Sequence, residues 1–145
     1  MDQNLKLNPD DGTILPDPSS YRRLVGRLLY LTITRPDISF FVNMLSQFMQ
    51  NPRDSHLTAV FHVLRYLKGP PRHGLFYLAQ CNFQLSAYSD VDWASCPTTR
   101  RTTTSFFITL GNSPISWSTK KQTIVSQSST EAEYHAMAMT TCELV

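Results

Sequence analysis

Four carboxylates come in two closely spaced pairs: Asp90 and Asp92 in "AYSDVDWAS", Glu131 and Glu133 in "SSTEAEYHAMAM". Carboxylate oxygens are the hard donors that Mg²⁺ takes, so a pair drawn from both stretches would suit metal-assisted chemistry. The same spacing has opposite consequences in the two settings. Side chains two apart on a strand share a face, so Asp90 and Asp92 point together if the strand persists through Asp92. They equally suit a solvated turn, where Asp is at home. Residues two apart on a helix point about 200° away from each other, so Glu131 and Glu133 cannot both face a sheet.

Capping suggests how the two glutamates divide. Ser128-x-x-Glu131 matches a capping box, which gives Glu131 a local role at the positive end of a helix. Glu133 is then left for chemistry, on a stripe with Ala136, Met137 and Leu144 that reads as core-facing. Thr130-x-x-Glu133 fits the same box, so the pattern states a preference between the two.

Between Trp93 and Thr130 there is no acid, and the only fixed charges are Arg100, Arg101, Lys120 and Lys121. Arg100 and Arg101 precede one β-type run and Lys120 and Lys121 end the next. In an antiparallel hairpin those ends lie on one side, which gathers four cations at a single edge. Such a patch attracts a nucleic-acid backbone in a salt-dependent way. Basic residues also simply blunt strand ends.

The chain has 145 residues, a formal net charge of +2 and 41% hydrophobic residues, enough for a packed core and little guide to partners. No apolar run approaches the roughly 20 residues of a membrane span. The polar, acidic "MDQNLKLNPDDG" does not read as a signal peptide, so an intracellular product without membrane association is expected, compartment unspecified. Three scattered cysteines (Cys81, Cys96, Cys142) form no C-x-x-C pair and read as free thiols. The four histidines lack the clustering of a metal site.

The elements that position these residues follow from periodicity. Residues 1–20 read as a linker, with Asp10-Asp11-Gly12, Pro16 and Pro18 as breakers and Ser19 or Ser20 ready to cap. Residues 21–73 read as three amphipathic helices. The first carries Leu24, Val25, Leu28, Leu29 and Leu31, and the second Ile38, Phe41, Val42, Leu45, Phe48 and Met49. The third, opened by Asp54 or Ser55, carries Leu57, Val60, Phe61, Leu64 and Leu67, and Gly69-Pro70-Pro71 stops it. From residue 74 to 145 the period shifts to two. "GLFYLA" (74–79), "FQLSAYSD" (83–90), "TTTSFFITLG" (102–111) and "SPISWSTKKQ" (113–122) are β-type, the last two forming a hairpin, before a final helix. The expected class is α+β: a helical segment, then about three antiparallel strands and one helix.

Taken together, "YRRLVGRLLYLTITRPDISFFVNMLSQFMQ", "VLRYLKG", "AYSDVDWASCPTTRRTTTSF", "ISWSTKKQTIVSQSSTEAEYHAMA" and "TTCELV" resemble the reverse transcriptase–ribonuclease H region of copia-type LTR retrotransposon Pol polyproteins of plants. The resemblance is collinear from about Tyr21. It implies a helical connection segment over 21–73 and a truncated ribonuclease-H-like domain over 74–145. It implies cleavage of the RNA strand of an RNA–DNA hybrid with two Mg²⁺ ions. By position it makes Asp90 and Glu133 catalytic, metal-binding carboxylates, while Asp92 and Glu131 are family-typical without that assignment. The family's later catalytic aspartates fall beyond Val145, and its polymerase aspartates lie upstream. The resulting expectation is a Pol fragment inactive by itself, whose partners are nucleic acid and the rest of the polyprotein. The alternative is a non-catalytic nucleic-acid-binding relict.

Overall fold

The computed structural model describes residues 7–69, 74–80, 82–96 and 99–145. His73, Cys81 and the terminator Pro70-Pro71 lie outside that set. The chain forms two compact units, Met1–Gly74 and Leu75–Val145. The architecture is α+β, with a three-stranded antiparallel sheet.

In the first unit, helix α1 (Pro18–Leu31) starts with proline, whose missing amide costs nothing in a first turn. Its cap is Asp17, not the expected Ser19 or Ser20: the Asp17 carboxylate accepts from the Ser19 amide at 3.0 Å and from the Ser20 hydroxyl. A charged acceptor suits the helix's positive end better than a hydroxyl does. After "TRPD" a 3₁₀ turn (Pro36–Ile38) leads into α2 (Ser39–Ser46), and α3 spans Asp54–Lys68.

Tyr21, Val25 and Leu28 of α1 meet Ile38, Val42 and Leu45, together with Ala59, Val60 and Val63 of α3, in one buried cluster. The Tyr21 hydroxyl donates to the Leu45 carbonyl at 2.7 Å, and burial pushes its phenol pKa up, so it stays a donor. On α3 the buried stripe is His56, Ala59, Val60 and Val63, whereas the expected Phe61 is 48% exposed. Small and β-branched residues occupy the closest approach, and Leu57, Leu64 and Leu67 wrap its margins.

Residues 7–17, within the stretch read as a linker, lie against this unit. Leu7 joins the core, Ile14 bridges to Arg53, and the Thr13 amide donates to Asp54 Oδ1 at 2.9 Å. Gly12, at φ +91°, sits where a Cβ would fall 2.0 Å from that oxygen, so only glycine fits.

Arg35 is buried and grips Asp37 through two bonds, Nε to Oδ1 at 2.9 Å and Nη2 to Oδ2 at 2.6 Å, with the Tyr66 hydroxyl adding a third at 3.0 Å. The Arg35 hydrogen bonds hold the Asp37 carboxyl below its usual range. A depressed folded-state pKa stabilises above the unfolded carboxyl pKa of about 3.9 and loses that contribution as pH falls through the folded value. Asp17 and Asp54, also lowered by hydrogen bonds, act in the same direction. The first unit is therefore expected to weaken below about pH 4. Asp37→Asn should flatten that acid limb in urea titrations followed by circular dichroism; an unchanged limb would exclude Asp37 as a contributor.

In the second unit β1 (Leu85–Asp92), β2 (Thr103–Leu110) and β3 (Ser113–Lys121) lie in the order β1-β2-β3, and α4 (Ser129–Cys142) packs chiefly on β1. The expected run 74–79 is not a strand. Leu78 instead donates its amide to Ser113 Oγ at 3.2 Å, and Phe76 and Tyr77 are exposed. Leu110 and Ser113 pair across a two-residue turn, with Gly111 at φ +57°. A bulge between Ile108 and Thr109 shifts the register, so Ile108 pairs with Ser116 and Phe107 with Trp117.

Gln122 is buried and joins sheet to helix: its Nε2 donates to Thr104 Oγ1 at 2.9 Å and to the Ala132 carbonyl at 3.2 Å, and its Oε1 accepts from Ser126 Oγ at 3.1 Å. Helix α4 therefore covers the sheet face that carries Thr104 and Ile108. Its buried stripe is Ala132, Ala136 and Thr140. Met137 (55% exposed) and Leu144 (40%) do not face the core, contrary to the sequence reading. The small residues let the helix lie close, which leaves the bulkier ones outside.

Candidate nucleic-acid and metal site

Strand β1 does persist through Asp92: Asp90 pairs with Ser105 and Asp92 with Thr103. Both carboxylates thus share one face, with Ser105, whose hydroxyl bonds that of Thr119 at 3.1 Å. Because α4 covers the Thr104 face, Asp90 and Asp92 lie on the other one. Both are exposed.

At the start of α4, the Glu131 amide donates to Ser128 Oγ at 3.1 Å, and Glu131 Oε2 accepts from the Gln127 amide at 2.7 Å. The Ser128 half of the expected capping box is thus formed, while the Glu131 carboxylate takes the amide of Gln127 rather than that of Ser128, and His135 Nε2 lies 3.8 Å from its Oε1. Glu133 is exposed and lies about 20° of helical rotation beyond the edge of the buried stripe marked by Thr140. Among the described residues no side-chain hydrogen bond or ion pair engages Asp90, Asp92 or Glu133.

The chain path brings the two stretches to the same end of the unit. The Trp93 indole, next after β1, donates to the Ser126 carbonyl at 3.3 Å, just before α4. Gln122 holds the intervening loop from the other side. Asp90 and Glu133 thus approach this end from opposite faces of the edge strand β1. Among the described residues no group of three or more His, Cys, Asp or Glu converges to hold a metal.

The same end carries the cations. Lys121 pairs with Thr103 and Lys120 with Thr104, and the loop from Cys96 closes on Arg100 and Arg101 through Arg100 N to Cys96 O at 2.8 Å and Cys96 N to Arg101 O at 3.3 Å. Ala94 (φ +50°) and Arg100 (φ +54°) both adopt the left-handed conformation, which non-glycine residues rarely take. Arg100, Arg101 and Lys120 are exposed, while Lys121 is half-buried and donates to Cys96 Sγ at 3.0 Å. Cys142 is an exposed free thiol, and Cys96 is buried. Periodicity gave no sign of Trp93 or Gln122 as clamps, because each acts on a residue distant in sequence.

No protein-family profile and no solved structure matches the chain. Curated relatives do. The retrovirus-related Pol polyproteins from transposons RE2 and RE1 of Arabidopsis thaliana are 51% and 50% identical, each over 96% of this chain and 10% of their own length. An uncharacterized mitochondrial protein of Arabidopsis thaliana is 49% identical over 97% of this chain and 59% of its own. The chain spans about a tenth of the length of the polyproteins it matches. Among the described residues no helix is long and apolar enough to cross a membrane. Identity at this level along nearly the whole chain makes it similar to one segment, about a tenth, of the retrovirus-related Pol polyproteins of plant transposons.

Proposed function

We propose that the second unit is part of a ribonuclease H domain of a copia-type Pol polyprotein, a domain that in the parent polyprotein cleaves the RNA strand of an RNA–DNA hybrid, and that the unit alone is inactive. The observation that carries this reading is the meeting, at one end of the sheet, of the Asp90 strand end, the α4 turn bearing Glu133, and four cations. The donor chemistry fits Mg²⁺, which commonly takes one or two carboxylates and completes its shell with water and substrate phosphate. Asp90 and Glu133 would hold it, and it would supply Lewis acidity at the scissile phosphodiester. Arg100, Arg101, Lys120 and Lys121 would draw in the hybrid's backbone and neutralise phosphate charge. Glu131, spent on the helix cap, has no part in metal binding.

The test is paramagnetic broadening by Mn²⁺ of the amide signals of residues 89–92 and 131–134, with competition by Mg²⁺. Broadening should vanish in Asp90→Asn and in Glu133→Gln and survive in Glu131→Gln. Broadening that ignores the first two variants, or follows Glu131, defeats the assignment. In parallel, hybrid binding should weaken with salt, and neutralising Arg100 and Arg101 together should lower the logarithmic salt slope by about 2. Salt-dependent hybrid binding with no Mn²⁺ broadening at Asp90 or Glu133 would assign the chain the non-catalytic role instead.

A further inference from the structure

Three parts of the candidate site meet around one buried side chain that bonds to none of the candidate ligands. Gln122 is 4% exposed, and its amide is tied on every side. The Ala132 carbonyl can only accept, so the atom facing it at 3.2 Å is Nε2, and Oε1 is the atom that accepts from the Ser126 hydroxyl at 3.1 Å. Nε2 also donates to Thr104 Oγ1 at 2.9 Å. A primary amide has two N–H donors and one acceptor oxygen, and this network uses both hydrogens and the oxygen. Ser126 is held in turn, its carbonyl accepting from the Trp93 indole at 3.3 Å. Buried polar networks satisfied in this way rigidify and specify one arrangement of the elements they join.

Each contact lies one residue from a part of the site. Ala132 immediately precedes Glu133 and has no exposed surface. Thr104 is buried and pairs with Val91, the residue between Asp90 and Asp92. Gln122 itself follows Lys120 and Lys121, and its backbone amide donates at 2.8 Å to the carbonyl of Thr102, next after Arg101. Apolar packing supplies little competing order. Ile108 is the single large buried apolar side chain among this unit's described residues, and the buried stripe of α4 is Ala132, Ala136 and Thr140. Small residues give a helix only shallow ridges to lock into its neighbour, so a directional contact must fix its position along the sheet.

We propose that Gln122 is the positioning residue of this end of the unit, holding the α4 turn that bears Glu133 in a fixed place against the strand end that bears Asp90. The inference rests on the preceding reading for the metal, while its orientational part stands without one. Removing a group that orients metal ligands without touching the ion typically costs about 10–100-fold in metal affinity. The experiment uses the full chain and Gln122→Met, which keeps length and packing and removes all three side-chain bonds. Residual dipolar couplings of the amide N–H vectors are measured without metal, and Mn²⁺ broadening afterwards. In the unsubstituted chain the couplings of β1, β2, β3 and α4 should fit one alignment. In Gln122→Met the strands should keep theirs, while residues 129–134 depart from it. Mn²⁺ should still broaden residues 89–92 but reach 131–134 much less, with affinity lower by about ten-fold or more. Ile108→Val is the control, because it lowers stability without touching the network and should leave couplings and broadening in place. Couplings of 129–134 in Gln122→Met that match the unsubstituted chain overturn the proposal. An equal displacement in Ile108→Val also overturns it, since the effect would then be one of stability alone. A measurement on the unsubstituted chain covers a variant that fails to fold. There the Gln122 side-chain amide protons should exchange slowly with solvent and show nuclear Overhauser contacts to Thr104 and Ala132, and fast exchange overturns the network. Absence of Mn²⁺ broadening in the unsubstituted chain defeats the metal assignment alone, since displaced couplings in Gln122→Met still support the positioning.

Discussion

Tyr21→Ala should nearly unfold the first unit. Tyr21 has no exposed surface and is the bulkiest of the fully buried side chains, at the point where α1 meets α2. Truncating a buried aromatic residue costs about 3–5 kcal/mol in lost transfer energy and cavity formation. Here the change also removes the hydroxyl that satisfies the Leu45 carbonyl, and a buried acceptor left open costs about 1–3 kcal/mol more. A unit of this size has only roughly 4–11 kcal/mol of total stability at 0.05–0.15 kcal/mol per residue. Thermal melts followed at 222 nm, where α1, α2 and α3 contribute most of the helical signal, should show the helical transition displaced far downward or absent. A melting temperature lowered by less than about 4 °C would contradict the packing described. Tyr21→Phe separates the two contributions, since it keeps the ring and loses only the bond to Leu45.

Ile108→Ala is the corresponding change in the second unit. Ile108 is 1% exposed and is the largest fully buried apolar side chain among that unit's described residues; Cys96, Ala132 and Ala136, its other buried apolar residues, are all small. A core resting on one large residue has little to rearrange around a cavity, so the loss belongs toward the upper part of the about 2–5 kcal/mol range for such truncations. Both tryptophans, Trp93 and Trp117, lie in this unit, so urea unfolding followed by Trp emission reads it directly. The midpoint should fall sharply in Ile108→Ala and by about 1 kcal/mol equivalent in Ile108→Val. Equal effects of the two variants would mean that the residue is not packed as described. The same measurement shows whether α4 stays docked, because the sheet face that it covers is the one Ile108 occupies.

Local signals in the sequence carried the class of fold and the placement of several residues of the candidate site. Helical spacing with Pro and Gly breaks marked α1, α2 and α3 to within a few residues, because amphipathic periodicity depends only on near neighbours. Gly111-Asn112 announced the β2–β3 turn, since a two-residue hairpin loop demands a residue tolerant of positive φ. Ser128 and Glu131 announced the start of α4 for an equally local reason: the Ser128 hydroxyl and the Glu131 amide that it caps lie within one turn. The gathering of Arg100, Arg101, Lys120 and Lys121 at one end followed from antiparallel pairing alone.

Tertiary structure decided what depends on distant partners. The run 74–79 has β-type composition but is not a strand, because propensity does not supply a neighbour to pair with. The face of α4 was misread because Ala132, Ala136 and Thr140 are not strongly apolar, and close approach to the sheet selects small residues over Met137. The pairing of Phe107 with Trp117 depends on the bulge: without the extra residue Phe107 would oppose Ser116, and Trp117 would fall on the face that α4 covers. By itself, then, the sequence determined that two glutamates must diverge on one helix and that cations collect beside them. Only the folded chain decided that Asp90 lies on the face away from α4, that Trp93 and Gln122 draw the acidic stretches to one end, and that Phe107 pairs with Trp117. The reason is physical: capping and periodicity act over one turn, whereas register, face and docking are properties of strands and helices meeting across the chain.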